Sequence, residues 1–324
     1  MQMQTPTSPK HSRPRRAARA FFTYVVVPYL AVVMLAGVFQ RSLIYHPGRD
    51  ASLTATPARV PDAITEPVSF KTADNLDLHG WHISRQNAKG DSAGPRNRTT
   101  GKPVFLYFCG NSGNRANRLD EFQLLTSLDA DVVCFDYRGF GDNAGSPSEE
   151  AIAADARASW QYLMRDRHLS PSQLIIFGES LGGGVATRLA AEMSAAGTPP
   201  GGLVLRSTFS RLTDAAACHF PWLPVRWLMV DRYPSVERIP LVTCPILILH
   251  GRRDTIVPFE MGERLFAAAP ETPSPGTSKR FLALETADHN DVLITEPNAV
   301  RRAIEELLEL IQPRIVAPPK KKVD

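Results

Sequence analysis

The sequence predicts an α/β fold built on a largely parallel sheet with helices on both faces, carried behind one long apolar N-terminal helix. Three observations lead there. Strand-like runs alternate with helical stretches from Val104 onward, the pattern that places helices over both faces of a parallel sheet. Several of those runs, such as Leu174-Ile175-Ile176-Phe177 and Ile246-Leu247-Ile248-Leu249, are continuously apolar, as strands buried on both sides require. Finally, no charged residue occurs from Ala20 through Gln40.

The uncharged stretch comes first in the chain. At about 1.5 Å per residue it spans roughly 31 Å, close to the hydrocarbon thickness of a bilayer. Pro28 and Gly37 are tolerated in such helices, and Tyr24, Tyr29 and Phe39 suit an interface. A cleaved signal peptide is the alternative; the apolar run is longer than a typical signal core and no clear Ala-x-Ala site follows, so a retained single-pass anchor is preferred. Lys10, Arg13, Arg15, Arg16 and Arg19 precede the span, against Arg41 and Arg49 just after it. That bias predicts a cytoplasmic N-terminus, with the body on the periplasmic, lumenal or extracellular side. The basic residues at the two ends account for the formal net charge of +4 and leave a slightly acidic body. Nothing in that body suggests a surface made for nucleic acid.

The expected organisation is a basic tail (1–19), an anchor (20–40), a proline-punctuated linker (41–67), the α/β domain (68–312) and a basic tail (313–324). Strands are expected at Val68–Thr72 and Leu76–Ile83, forming a hairpin, then at Val104–Phe108, Asp131–Phe135, Leu174–Phe177, Leu203–Leu205, Ile246–Leu249 and Phe281–Leu284. Ser146-Pro147-Ser148-Glu149 has the spacing of a capping box with proline in the first helical position, so a helix is expected from Ser146 to about Asp166. Arg85 to Lys102 reads as an exposed polar loop holding the sequon Asn97-Arg98-Thr99. Between residues 208 and 243 the pattern breaks into aromatics and prolines, where either a cap over an active site or an ordinary core-filling excursion would sit. The run Pro318–Val323 reads as a solvated basic tail.

Leu174–Phe177 leads directly into Gly178-Glu179-Ser180-Leu181-Gly182, and a small-residue helical stretch follows to Ala196. This is a G-x-S-x-G turn between strand and helix, the context in which a serine hydroxyl is lifted above a sheet as a nucleophile. Side chains at 178 and 182 would collide with the neighbouring strand and helix, hence the glycines. A serine needs a base and a carboxylate that fixes the base's tautomer, and on this turn they follow in the order acid, then histidine. Of the eight histidines, only His250 and His289 lie beyond a late strand. His289, past the last strand, is preferred as base, while His250 shapes the turn that presents the acid. Asp254 is that acid, because Asp288 and Asp291 lie too near His289 in sequence to orient its ring. His79, His82 and His219 read as structural or exposed. The backbone N–H groups of Leu181 and Asn111 are the expected oxyanion donors. The glycines around Asn111 are not followed by Gly-Lys-Ser/Thr, which argues against nucleotide binding. Cys109, Cys134, Cys218 and Cys244 are too scattered for a disulfide framework or a paired metal site and read as free thiols. No metal or cofactor is expected.

With Ser42-Leu43-Ile44-Tyr45-His46-Pro47, Gly110-Asn111, Asp136-Tyr137-Arg138-Gly139-Phe140-Gly141, Gly145–Glu149, Gly178–Gly182, Gly251–Pro258 and His289-Asn290-Asp291 together, the chain resembles the membrane-anchored branch of the α/β-hydrolase domain-containing proteins. That group includes a lysophosphatidylserine lipase and protein depalmitoylases. The resemblance implies an α/β-hydrolase fold with an eight-stranded sheet and metal-free hydrolysis of an ester or thioester, lipids among them, through an acyl-enzyme. A serine peptidase on the same fold and a non-catalytic membrane-tethered binding protein are the alternatives. Two positions depart from the family: Cys109 replaces a histidine and Asp288 a glycine. The first leaves the oxyanion backbone intact, whereas a carboxylate at 288 is expected to raise the pKa of the base.

Overall fold

The computed structural model describes residues 12–86, 101–272 and 278–316. The Asn97 sequon, most of the Arg85–Lys102 loop and the Pro318–Val323 run lie outside the described residues. Eight strands form one sheet: β1 (Ala63–Lys71), β2 (Asp77–Arg85), β3 (Val104–Phe108), β4 (Asp131–Phe135), β5 (Leu174–Glu179), β6 (Gly202–Arg206), β7 (Ile246–Gly251) and β8 (Lys279–Leu284). Their order is β8-β7-β6-β5-β3-β4-β2-β1. The pairings β1–β2 and β2–β4 are antiparallel and the rest parallel.

Alternation along the buried strands divides the core in two. Val104, Leu106, Ile176, Leu205 and Ile248 point to one face, where they meet α2 (Glu149–Arg165), α3 (Leu181–Ala195) and α7 (Phe259–Ala268). Phe105, Tyr107, Ile175, Val204 and Leu247 point to the other, against α1 (Leu119–Ser127) and α9 (Pro297–Val316). Coverage of both faces explains why these strands read as continuous apolar runs. Between α3 and α9 the 208–243 excursion carries α4 (Leu212–His219), α5 (Val225–Leu228) and α6 (Ser235–Arg238), and α8 (Val292–Thr295) precedes the last helix.

Three expectations change. Residues 41–67 are not a free tether: Tyr45, Leu53 and Val60 are buried, His46–Pro47 pairs in parallel with Ser112–Gly113, and β1 already begins at Ala63. Prolines suggested a linker, but Pro67 sits on the sheet's edge strand, where a missing N–H costs no ladder bond. The cap of α2 is Ser148, which accepts from the Ala151 N–H at 3.2 Å, and not Ser146. Pro147 packs instead beside Gly139, and Glu149 is drawn out of the capping box to the Arg232 and Tyr233 N–H groups, at 2.7 and 2.8 Å. The last helix runs on to Val316, past the expected start of the tail at 313.

The N-terminal segment is helical from Ser12 to Phe21, through a π-helical stretch at Phe22–Val26, and again from Val27 to Val38. Pro28 has no N–H to give, and the turn before it widens so that the Val27 N–H bonds to Phe22 O. Arg15–Val38 is 24 residues long and apolar enough to cross a membrane, with Phe21, Tyr24, Leu30, Met34 and Val38 all exposed.

Candidate active site

Strand β5 ends and α3 begins with no intervening loop, so Ser180 takes up the whole reversal at φ 51° and ψ −115°. A non-glycine residue in this region is strained by about 1–3 kcal/mol, and close packing maintains it. A Cβ at Gly178 would strike the Gly182 carbonyl, and one at Gly182 would strike the Phe108 and Cys109 carbonyls. Thr208 Oγ1 donates to the Ser180 carbonyl at 2.6 Å, which holds the turn from the side.

The turn points Ser180 Oγ at His289 Nε2, 3.1 Å away, and His289 Nδ1 lies 2.8 Å from Asp254 Oδ2. All three residues are buried. They come from the C-terminal ends of β5, β7 and β8, which the sheet order brings to one edge. Burial pushes the Asp254 carboxyl up, but hydrogen bonds from His250 and His289 and the Val257 N–H outweigh it and hold it well below the usual carboxylate range. An ionised Asp254 takes the Nδ1 proton as a hydrogen bond, leaving Nε2 as the acceptor for the serine hydroxyl. The second carboxylate oxygen accepts from the Ile256 and Val257 N–H groups, at 3.0 and 2.7 Å.

His250 closes this turn: its Nε2 donates to the Val257 carbonyl at 2.9 Å and stands 3.3 Å from Asp254 Oδ2. Asp288 accepts from the Thr255 N–H at 2.8 Å and the His289 N–H at 2.7 Å, so its charge clamps the acid loop to the histidine loop. Those bonds hold its carboxyl below the usual range. His82 pairs with Asp131 at 3.0 Å within the domain, and His79 sits on β2 with its backbone tied to Asn143.

A cavity of about 360 Å³ opens over Ser180, lined by Gly110, Asn111, Arg118, Ile256 and His289 among others. None of its lining comes from 208–243, but that excursion touches lining residues where His219 Nε2 donates to the Ile256 carbonyl at 2.7 Å and where Thr208 holds the Ser180 carbonyl. The loop carrying Asn111 is held from below by Tyr137, which donates to the Cys109 carbonyl at 2.7 Å. From the N-terminal side, Asn111 Nδ2 donates to Ile44 O and the His46 N–H to Asn111 O, both at 2.8 Å.

Sequence reasoning missed the charges beneath the serine. Glu179 is buried, accepts from Tyr107 at 2.9 Å, and pairs with Arg118 at 2.5 Å and Arg206 at 3.2 Å. Burial pushes its carboxyl up, but Arg206 and Arg118 prevail and keep it low. The one signal available was an acid inside the turn itself; nothing local pairs residue 179 with residue 118. Among the described residues no disulfide is formed: Cys109 and Cys134 are buried with their sulfurs 3.6 Å apart, Cys244 is buried and Cys218 exposed.

A family model described as alpha/beta hydrolase fold matches residues 103–216. An uncharacterized protein of Mycobacterium tuberculosis is 37% identical over 297 residues, covering 90% of this chain and 96% of that one. A lysophosphatidylserine lipase of Danio rerio is 39% identical over 187 residues, covering 53% of this chain and 48% of the lipase, so the match spans about half of each. Among solved structures, an esterase of Pyrococcus furiosus superposes with a TM-score of 0.60 at 16% identity, covering 82% of this chain and 98% of the esterase. Fold, strand order and relatives agree: the chain belongs to the α/β-hydrolase family.

Proposed function

We propose that the chain is a serine hydrolase that cleaves carboxylic ester or thioester bonds, lipids among them, through an acyl-enzyme, and that its N-terminal helix anchors it in a membrane. The observation that carries this reading is the hydrogen-bonded chain from Ser180 Oγ through His289 to Asp254. Ser180 attacks the carbonyl carbon while His289 Nε2 takes its proton. The imidazolium is stabilised by Asp254 and returns the proton to the leaving alkoxide or thiolate. The Leu181 and Asn111 N–H groups meet the oxyanion, and water activated by the same histidine releases the acid. In support, the Danio rerio relative bears the name of a lipase. The basic residues ahead of the span favour a cytoplasmic N-terminus, with the catalytic domain across the membrane.

Stopped-flow hydrolysis of p-nitrophenyl esters of graded chain length, set beside aminoacyl-nitroanilides, tests the reaction class. The expected result is an initial burst of p-nitrophenolate matching the enzyme concentration, absent in Ser180→Ala, with the nitroanilides hardly touched. Turnover that survives Ser180→Ala, or nitroanilides preferred to esters, rejects it.

A further inference from the structure

The N-terminal helix and the 208–243 excursion are bonded along a shared edge. Tyr29 Oη donates to the Trp222 carbonyl at 3.0 Å. The Gln40 amide reaches both ways, giving Nε2–H to Leu228 O at 3.3 Å and accepting the Val230 N–H at 2.7 Å. Arg41 and Tyr45 both bind Asp231, at 3.2 and 3.0 Å. Measured along the helix at about 1.5 Å per residue, Tyr29 lies roughly 16 Å back from Gln40. If Arg15–Val38 crosses a bilayer, a segment fastened at Tyr29 cannot stay in water.

Residues 220–230 have the apolar character such a position demands except at Arg226, whose guanidinium turns to Asp214 at 3.0 Å. Trp227 is 88% exposed and Trp222 56%, with Phe220 and Val230 also exposed. Four large apolar side chains so close together form a patch, which isolated exposed residues do not. The backbone is the second, independent sign, since irregular chain at membrane depth must satisfy its polar groups internally. Pro221 and Pro224 have no N–H to satisfy. The N–H groups of Leu223, Val225, Trp227, Leu228 and Met229 bond within the segment. Arg232 donates to the Arg226 and Met229 carbonyls at 2.9 and 3.2 Å, while the N-terminal helix serves Trp222, Leu228 and Val230.

We infer that Phe220–Val230 is a second membrane contact, embedded in the leaflet beside Tyr29–Gln40, and that it turns the mouth of the catalytic cavity toward the bilayer so that substrate enters from the lipid. This deepens the proposed hydrolase and rests on the membrane reading of the N-terminal helix. Two contacts bring the mouth to that surface. His219, one residue before the patch, holds Ile256 of the cavity lining, and Ile44 and His46, just past the span, hold Asn111 of the same lining. From Val38 to Ile44 the chain can extend by no more than about 20 Å, so the cavity is tethered near the leaflet. A membrane-resident acyl ester fits this arrangement better than a freely soluble one: its acyl chain stays in lipid while the carbonyl reaches Ser180.

The four tryptophans make the test direct, because Trp81 and Trp160 are buried in the domain and only Trp222 and Trp227 lie on the patch. The full chain is placed in phosphatidylcholine nanodiscs with brominated acyl chains and its fluorescence compared with that of Trp222→Phe/Trp227→Phe. Quenching in the parent that disappears in the double variant is expected. Absent quenching, equal quenching in both proteins, or concentration-dependent pairing of chains that shields the two tryptophans without bromolipid quenching, overturns the inference. A second readout uses Trp227→Ser: hydrolysis of a bilayer-embedded monoacyl ester should fall several-fold while that of water-soluble p-nitrophenyl acetate is unchanged. Equal effects on both esters also overturn it. Should quenching appear as expected but Ser180→Ala change no hydrolysis, the membrane contact stands and the serine mechanism fails; the reverse pattern rejects the contact alone.

Discussion

The turn around Ser180 and the excursion around Trp222 are held in opposite ways. At the serine, backbone meets backbone: Gly178 and Gly182 have no room for a Cβ against the carbonyls of Gly182, Phe108 and Cys109. At the excursion, side chains from distant residues reach backbone groups, as Gln40 does at Leu228 and Val230. Close backbone packing demands particular residues at fixed spacing. Long-range side-chain bonds need only a polar group somewhere in the chain. The first region is therefore intolerant of small changes and readable from sequence, and the second is neither.

Removing the nucleophile should have the largest effect. Ser180→Ala is expected to lower kcat by on the order of 10⁶ with the melting temperature unchanged, as steady-state kinetics and calorimetry on the same preparation would report. Asp254→Asn should cost about 10⁴ in kcat, since the amide leaves the imidazole in the wrong tautomer. The same variant carries a pH signature. The folded pKa of Asp254 lies below its unfolded value, so its contribution to stability is present above the ordinary carboxylate range and lost as pH falls through the folded value. Acid unfolding followed by circular dichroism should therefore be steeper below about pH 4 in the parent than in Asp254→Asn.

Beneath the serine, Glu179→Ala leaves the buried Arg206 with only Glu121, 3.4 Å away, as a carboxylate partner and should cost up to about 3–5 kcal/mol in denaturant melts. Gly182→Ala forces a Cβ against the Phe108 and Cys109 carbonyls and should cost about 1–3 kcal/mol, with activity falling as the oxyanion loop is displaced. The contrast comes from the other region: Trp227→Ser in detergent should change stability by no more than about 0.5 kcal/mol, because the exposed ring packs on little. Equal costs for Gly182→Ala and Trp227→Ser would erase the distinction between the two regions.

Legibility followed the same division. The six strands from Val104 onward were readable because each is short, apolar and separated from the next by helix, and β1 and β2 as a hairpin; their ends moved by only a few residues, most at β1, where Pro67 hid the extension back to Ala63. Ser180 was visible in its glycines. Asp254 and His289, named from their places after late strands, lie in one hydrogen-bonded chain with it. Tyr45, Leu53 and Val60 looked like linker because single apolar residues among prolines have no period, although each is buried. Glu149 illustrates the remaining difficulty: its spacing from Ser146 spelled a cap, but bare N–H groups at residues 232 and 233, far along the chain, attracted it more strongly. Asp288, expected to act on the base through its charge, is occupied as a clamp between Thr255 and His289. A pH–rate profile of Asp288→Gly measures how much of that charge the base still feels, and a profile identical to the parent's would leave only the clamp.

Catalysis by this chain rests on the reactivity of one hydroxyl, that of Ser180. Treating the folded full chain with a fluorophosphonate and locating the adduct by peptide mass spectrometry tests that directly. Stoichiometric labelling at Ser180 is expected, abolished in Ser180→Ala and slowed in His289→Ala. Folded protein that takes no label, or label found on another residue with Ser180 untouched, would contradict it.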